Sequence, residues 1–433
     1  MIRVKLTVMM LVQFFIWGAW LPLIFGYLPS LGFTPGEQAW ILNAFPIAAI
    51  VGMFFSNQYA DRHFAAEKFM AFSHLVGGVA ILSLAWVQTF WPFFLLMLVH
   101  CLLYVPTISI SNSIAFANMK DPQKEFGPVR MGGTIGWILA AWPFTFILVD
   151  WNAVQQANPQ GIVAWLGTVL SSGLTGPALQ AGTRWTYIVA GVASLLLAAY
   201  SLTLPHTPPR KAGEGADSLA WLEAMKLLKH PFVLVLWLVT LVDSFVHNSY
   251  FSWTGVFLGT SVQAGGVGIP GNWIMPVMSV GQIAEITTMA ILGAVLKRFG
   301  WRTTMIFGIL GHAARFAVYA FFPEHPAFII LVQVLHGICY AFFFATVYVF
   351  VDAYFPKDAR ASAQGLFNVM ILGVGALVAY SLCPYLMQTV FTQNGVTNFR
   401  LLFLVPMTSA IAAAAALALF FFPPKEASPG ASA

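Results

Sequence analysis

Apolar residues run along this chain in blocks of about 20, parted by short polar connections, and each block is long enough to cross a bilayer as one helix. Twelve blocks are read. The first six are Leu6 to Tyr27, Ala39 to Ala60, Phe69 to Val87, Pro92 to Ala117, Val129 to Asp150 and Trp185 to Leu204. The second six are Pro231 to Leu258, Trp273 to Leu296, Thr303 to Phe322, Ala327 to Val351, Ser362 to Met387 and Leu401 to Phe422. The pattern predicts an all-α integral membrane protein of twelve transmembrane helices in two six-helix bundles. The bundles are residues 1–204 and 231–433, and residues 205–230 form a polar cytoplasmic linker. One connection, Trp151 to Thr183, is longer than the rest and contains IVAWLGTVL. That run is too short to span and too apolar for a free linker, which predicts an interfacial or re-entrant segment.

Composition agrees. Hydrophobic residues make up 59% of the 433 and charged residues 8%, against about 25% charged in ordinary soluble domains. The net charge of +5 does not indicate nucleic acid, because the basic residues are scattered through short connections. Arg3, Lys5, Arg62, Lys68, Lys120, Lys124, Arg210, Lys211, Lys226, Lys229, Lys297, Arg298, Arg302, Lys357, Arg360 and Lys425 fall at the two ends or at every second connection, and the other connections hold only Arg184 and Arg400. By the positive-inside rule both termini are cytoplasmic. The first block follows two cations and has no small-residue cleavage site, so it is read as a span that is kept. Cys101, Cys339 and Cys383 lie in apolar blocks, with no disulfide framework and no metal spacing.

Candidate chemistry lies where polar groups interrupt apolar blocks. GQIAEITTMA, Gly281 to Ala290, places Gln282 and Glu285 on one face of the eighth span. An acid near mid-membrane costs roughly 2.5–3.5 kcal/mol and is kept where it faces a bundle interior or a wet cavity. The alternative is an acid neutralised by a neighbouring cation such as Arg315. In the fifth span Arg130, Thr134 and Trp137 follow i, i+4, i+7, stacking a cation, a hydroxyl and an aromatic plate. In the seventh, Asp243 and His247 are spaced to form a titrating pair, with Asn248 and Phe251 on an adjacent face. His336 and Tyr340 share a face of the tenth. His100 and His312 read as packing residues, and in VPTISISNS the side chains of Thr107, Ser111 and Asn112 can satisfy the carbonyl freed by Pro106 or line the cavity, hydroxyls bonding their own helix being the simpler reading.

Several strings together resemble the nucleoside:proton symporter family of the major facilitator superfamily: QFFIWGAWL (Gln13 to Leu21), PVRMGGTIGW (Pro128 to Trp137), LTLPHTP (Leu202 to Pro208), GQIAE (Gly281 to Glu285), LHGICYAFFF (Leu335 to Phe344), RASAQG (Arg360 to Gly365) and TQNG (Thr392 to Gly395). The resemblance implies proton-driven nucleoside import by alternating access. Carried over by residue, it puts Arg130, Thr134, Trp137, Asn248, Phe251, Gln282, Glu285, His336 and Tyr340 around the substrate. Glu285 and Asp243 are then the candidates for the proton. In the tenth span the family pattern has an aspartate after the aromatic residue, where this chain has Ala341.

The expected partners are a small solute, a proton and the lipid bilayer of the inner membrane, with no cofactor, no metal and a monomeric chain. A sugar or polyol carrier of the same fold, and a sensor that binds without transport, are the alternatives. An enzyme is not indicated: the chain holds no G-x-S-x-G and no H-E-x-x-H.

Overall fold

A computed structural model describes residues 2–52, 64–120, 122–209, 225–355 and 360–423. Residues 53–63 with Arg62, the middle of the 205–230 linker with Arg210 and Lys211, and Lys357 and Lys425 lie outside the described residues.

Among the described residues nine helices are long and apolar enough to cross a membrane. One of them, Gly271–Phe321, is bent at Gly300 (φ 71°, ψ 176°) and comprises two spans, joined at the basic turn read from sequence. The second span, Pro35–Val51, and the fifth, Pro122–Ala141, complete the twelve. The others are Ile2–Ser30, Ala66–Trp86, Phe90–Ala117, Gly176–Ser201, Pro231–Gly259, Pro326–Tyr354, Ala363–Val390 and Phe399–Phe420.

Local sequence sets the boundaries. Thr34 and Glu37 form a reciprocal capping box that starts the second span, Glu37 accepting from Thr34 N at 2.8 Å. The apolar pattern extends the fifth span to Asp150, but the helix ends at Ala141 and a single turn, Phe144–Ile147, follows. Pro143 has no amide hydrogen to continue the ladder. Between spans eleven and twelve, TQNG folds as a two-residue hairpin. Thr392 pairs with Thr397 across Asn394 (φ 51°) and Gly395 (φ 77°), the left-handed pair that such a turn requires.

The chain forms two compact units, Met1–Ala212 with Phe251–Ser279, and Gly213–Tyr250 with Val280–Ala433. In the first, the fifth span lies backbone to backbone on the first. A β-carbon at Gly136 would collide with the Leu11 carbonyl, so glycine there sets the helix separation. Beside that seam lies a buried polar network. His74 Nε2 donates to Gln13 Oε1 at 2.8 Å, and Gln13 Nε2 donates to Thr107 Oγ1 at 2.8 Å. His74 Nδ1 meets Ser194 Oγ at 3.0 Å, while Tyr104 OH donates to the Gln13 carbonyl at 2.6 Å. Thr107 and Ser111 also bond the carbonyls of Tyr104 and Ile108, as read from sequence.

The LTLPHTP string closes one end of this unit. His206 Nδ1 lies 2.8 Å from Glu67 Oε1 and Thr207 N donates to Glu67 Oε2 at 3.0 Å, pinning the chain after the sixth span to the start of the third. The long connection folds as three short helices, Trp151–Ala157, Ile162–Ser171 and Gly176–Gly182. IVAWLGTVL forms the middle one, and its Ile162 and Val163 are exposed, as an interfacial segment requires. Its far end is fixed: Leu170 O accepts from Trp273 Nε1 at 2.8 Å, and Gly271 N donates to Leu174 O at 3.0 Å.

In the second unit the eighth and tenth spans interlock. A β-carbon at Gly281 would lie 2.7 Å from His336 Cβ, and one at Gly337 would collide with the Glu285 amide nitrogen. The tenth span then widens, with residues Tyr340–Ala345 forming a π-helical turn. Such turns are rare and concentrate at functional sites.

A candidate solute-binding site

In the first unit the expected Arg130, Thr134, Trp137 face of the fifth span is present, and it faces partners that single-span reading does not supply. The Arg130 guanidinium lies over the Phe14 ring, 4.0 Å from its centroid. One turn on, Trp137 meets Trp17 edge-on at 5.1 Å, and Trp17 is stacked on Phe45 at 4.6 Å and 17°. Phe251 adds a fourth ring, 6.1 Å from Trp137. Thr134 is half-buried on the same face. The Trp17 indole N–H is buried and, among the described residues, has no acceptor. Five aromatic rings with Phe14, a cation and an unmatched donor suit a flat ligand that carries acceptors. Phe14 and Trp17 stand i, i+3 in QFFIWGAWL, and that spacing is the signal for the pair.

In the second unit Gln282 is 6% exposed, and among the described residues its amide oxygen receives no hydrogen bond. A buried acceptor without a donor is costly, by about 1–3 kcal/mol, and it marks a place where a ligand donor fits. Glu285, one turn away, is half-buried, as is Tyr340. Asn248 is held by its own helix, donating to the Ser244 carbonyl at 2.8 Å.

Behind this face lies a buried polar cluster. Arg315, fully enclosed, donates to His336 Nδ1 at 3.0 Å and to His312 Nδ1 at 2.9 Å, with its guanidinium 3.9 Å above the Tyr250 ring. His336 stacks on His247 at 5.1 Å. Tyr250 OH donates to Gln333 Oε1 at 3.0 Å, and Gln333 Nε2 donates to Tyr319 OH at 2.6 Å.

Two readings from sequence are corrected here. Asp243 makes no hydrogen bond to His247; the nearest group of opposite polarity is His312 Nε2, 3.7 Å from Asp243 Oδ2. The i, i+4 spacing permits the first contact, but His247 turns instead to stack on His336. His312 is therefore more than packing. Two of the three Arg315 guanidinium nitrogens are engaged by these histidines. Among the described residues no group of three metal-ligating side chains occurs.

The sequence profile described as Nucleoside H+ symporter matches residues 1–176 and 161–426. The chain belongs to that family. It is 31% identical over 399 residues to the putative nucleoside transporter YegT of Escherichia coli strain K12, covering 91% of this chain and 86% of that protein. It is 30% identical to the xanthosine permease of the same organism, covering 93% and 92%. The crystal structure of the nucleoside transporter NupG superposes with a TM-score of 0.79 at 23% identity, over 98% of this chain and all of that one. That of a D-xylose-proton symporter gives 0.67 at 15% identity over 98% and 99%. The fold is that of the major facilitator transporters, and this member of the family is a multi-pass transporter, not an enzyme.

Proposed function

We propose that the protein imports nucleosides together with protons, as a monomer in the inner membrane with both termini in the cytoplasm. The observation that carries the reading is the Gln282 amide oxygen, buried and, among the described residues, without a donor, one turn from Glu285. A ribose hydroxyl supplies the missing donor. In this reading Gln282, Glu285 and Asn248 recognise the sugar, with His336 and Tyr340 beside them. Trp137, Phe251, Arg130 and Thr134 recognise the base, Trp17 adding its ring and its N–H. Family membership and the aromatic group around Trp137 support a solute with a flat heterocycle. Glu285 and Asp243 are the two acids proposed for the proton.

Uptake of labelled uridine and adenosine into proteoliposomes tests this. Competition by excess nucleoside is expected to be strong, with free base and free ribose each much weaker. Strong competition by ribose or xylose with none by base would assign the protein to sugars. Trp137→Ala removes one stacking surface worth about 1–3 kcal/mol per base, so the half-saturating uridine concentration rises roughly tenfold or more.

A further inference from the structure

Asp243 sits on the seventh span, fully enclosed, and among the described residues neither carboxyl oxygen accepts a hydrogen bond. Its neighbour His312 shows how the site is wired. A guanidinium only donates, so the bond from Arg315 makes His312 Nδ1 an acceptor and places the proton of a neutral ring on Nε2. That nitrogen lies 3.7 Å from Asp243 Oδ2 and has no hydrogen-bond partner among the described residues. The distance exceeds a hydrogen bond by less than 1 Å. An ionised carboxylate in a dry site draws such a donor in; a carboxyl that holds a proton does not. The gap is thus an open contact that one proton controls.

The far side of the wiring is equally definite. Arg315 holds His312 with one nitrogen and His336 with another, so displacement of His312 is felt at His336. His336 is packed against Gly281, next to Gln282.

We propose that Asp243 is the residue on which the coupled proton rides, and that His312 and Arg315 are positioning residues that report its presence to His336. This rests on the reading of the chain as a nucleoside–proton symporter, and it names a carrier where the tenth span has Ala341. The step is a protonation and nothing more: a proton from water binds a carboxyl oxygen of Asp243 on one side of the membrane and returns to water on the other, with no bond to the solute made or broken. With the proton gone, His312 Nε2–H closes on the carboxylate. With the proton bound, the contact opens and the pull of the guanidinium falls on His336. Coupling of this kind is reciprocal, so a solute held at His336 changes how readily Asp243 takes its proton. Other titratable groups on the packed spans include His247 and Tyr250 of the seventh, Tyr319 of the ninth, Cys339, His336, Tyr340 and Tyr348 of the tenth and Glu285 of the eighth.

Proteoliposomes containing the full chain, labelled uridine and an imposed gradient of one pH unit, acid outside, give the test. A one-proton symporter accumulates its solute about tenfold under that gradient. Wild type is expected to do so and to take up protons when uridine is added. Asp243→Asn is expected to bring uridine only to equal concentrations inside and out, with no uridine-evoked proton uptake; accumulation at the wild-type ratio would overturn the proposal. His312→Gln keeps the acid and removes the imidazole, so it reports even where Asp243→Asn fails to fold. Its half-maximal uptake is expected to move by about one pH unit or more, a tenfold change in proton affinity; a superimposable pH profile would overturn the proposal. If wild type itself neither binds nor accumulates any nucleoside, the proposed function has failed rather than this inference.

Discussion

Each compact unit of the protein encloses a polar network built around histidine, and the two networks differ in one respect. Around His74, the ring nitrogens, both ends of the Gln13 amide and the Thr107 hydroxyl all have partners at 2.5–3.2 Å. Around Arg315, two histidines are held tightly while the acid Asp243 stands 3.7 Å from His312, with neither of its oxygens hydrogen-bonded among the described residues. A fully satisfied buried network fixes one arrangement of its helices, whereas a partly satisfied one has a second arrangement within reach. Histidine in a membrane span is therefore not informative by itself. What separates a structural network from a working one is whether its proton inventory closes.

Substitutions can break this comparison. The largest effect is expected from Arg315→Met, which removes two hydrogen bonds from a charged donor at about 1.5–3 kcal/mol each and leaves both Nδ1 acceptors unmet. Thermal unfolding should fall by many degrees and nucleoside uptake should vanish. His74→Leu strands the Gln13 oxygen and should cost about 2 kcal/mol, read as a smaller fall in the unfolding temperature. Its uptake should keep the wild-type pH profile; a shift of the profile would make the first network a working one and dissolve the contrast. Thr107→Val is expected to be smallest, about 1 kcal/mol for one replaceable hydroxyl, again without any change in pH dependence.

The spans were legible in the sequence because an apolar block of bilayer length has one stable outcome. So was the Arg130, Thr134, Trp137 face, because i, i+4, i+7 spacing is a property of one helix. The break after Ala141 could be anticipated from Pro143, but the apolar run through Phe144 to Val149 masks it. The Asp243 contact was not legible. Its members come from the seventh, ninth and tenth spans, and no spacing within one span reports which helix lies next to another. His312 and Arg315 are i, i+3 in GHAARF, and taken alone that pair reads as a packing residue beside a stray cation. The aromatic partners Phe14, Trp17 and Phe45 were hidden differently: among 39 phenylalanines and 15 tryptophans, nothing local singles out the rings that meet.

The glycine interlock between the eighth and tenth spans bears on how the carrier moves. With Gly281 seated on His336 and Gly337 on the Glu285 backbone, neither helix can slide past the other without a steric collision. The two backbones therefore travel as a single plate that carries amide, acid, imidazole and phenol together through the transport cycle, while the His336 ring can still turn on it in response to Arg315. Whatever rearranges during import happens around that plate rather than within it, and a bulky side chain at Gly337 would split it.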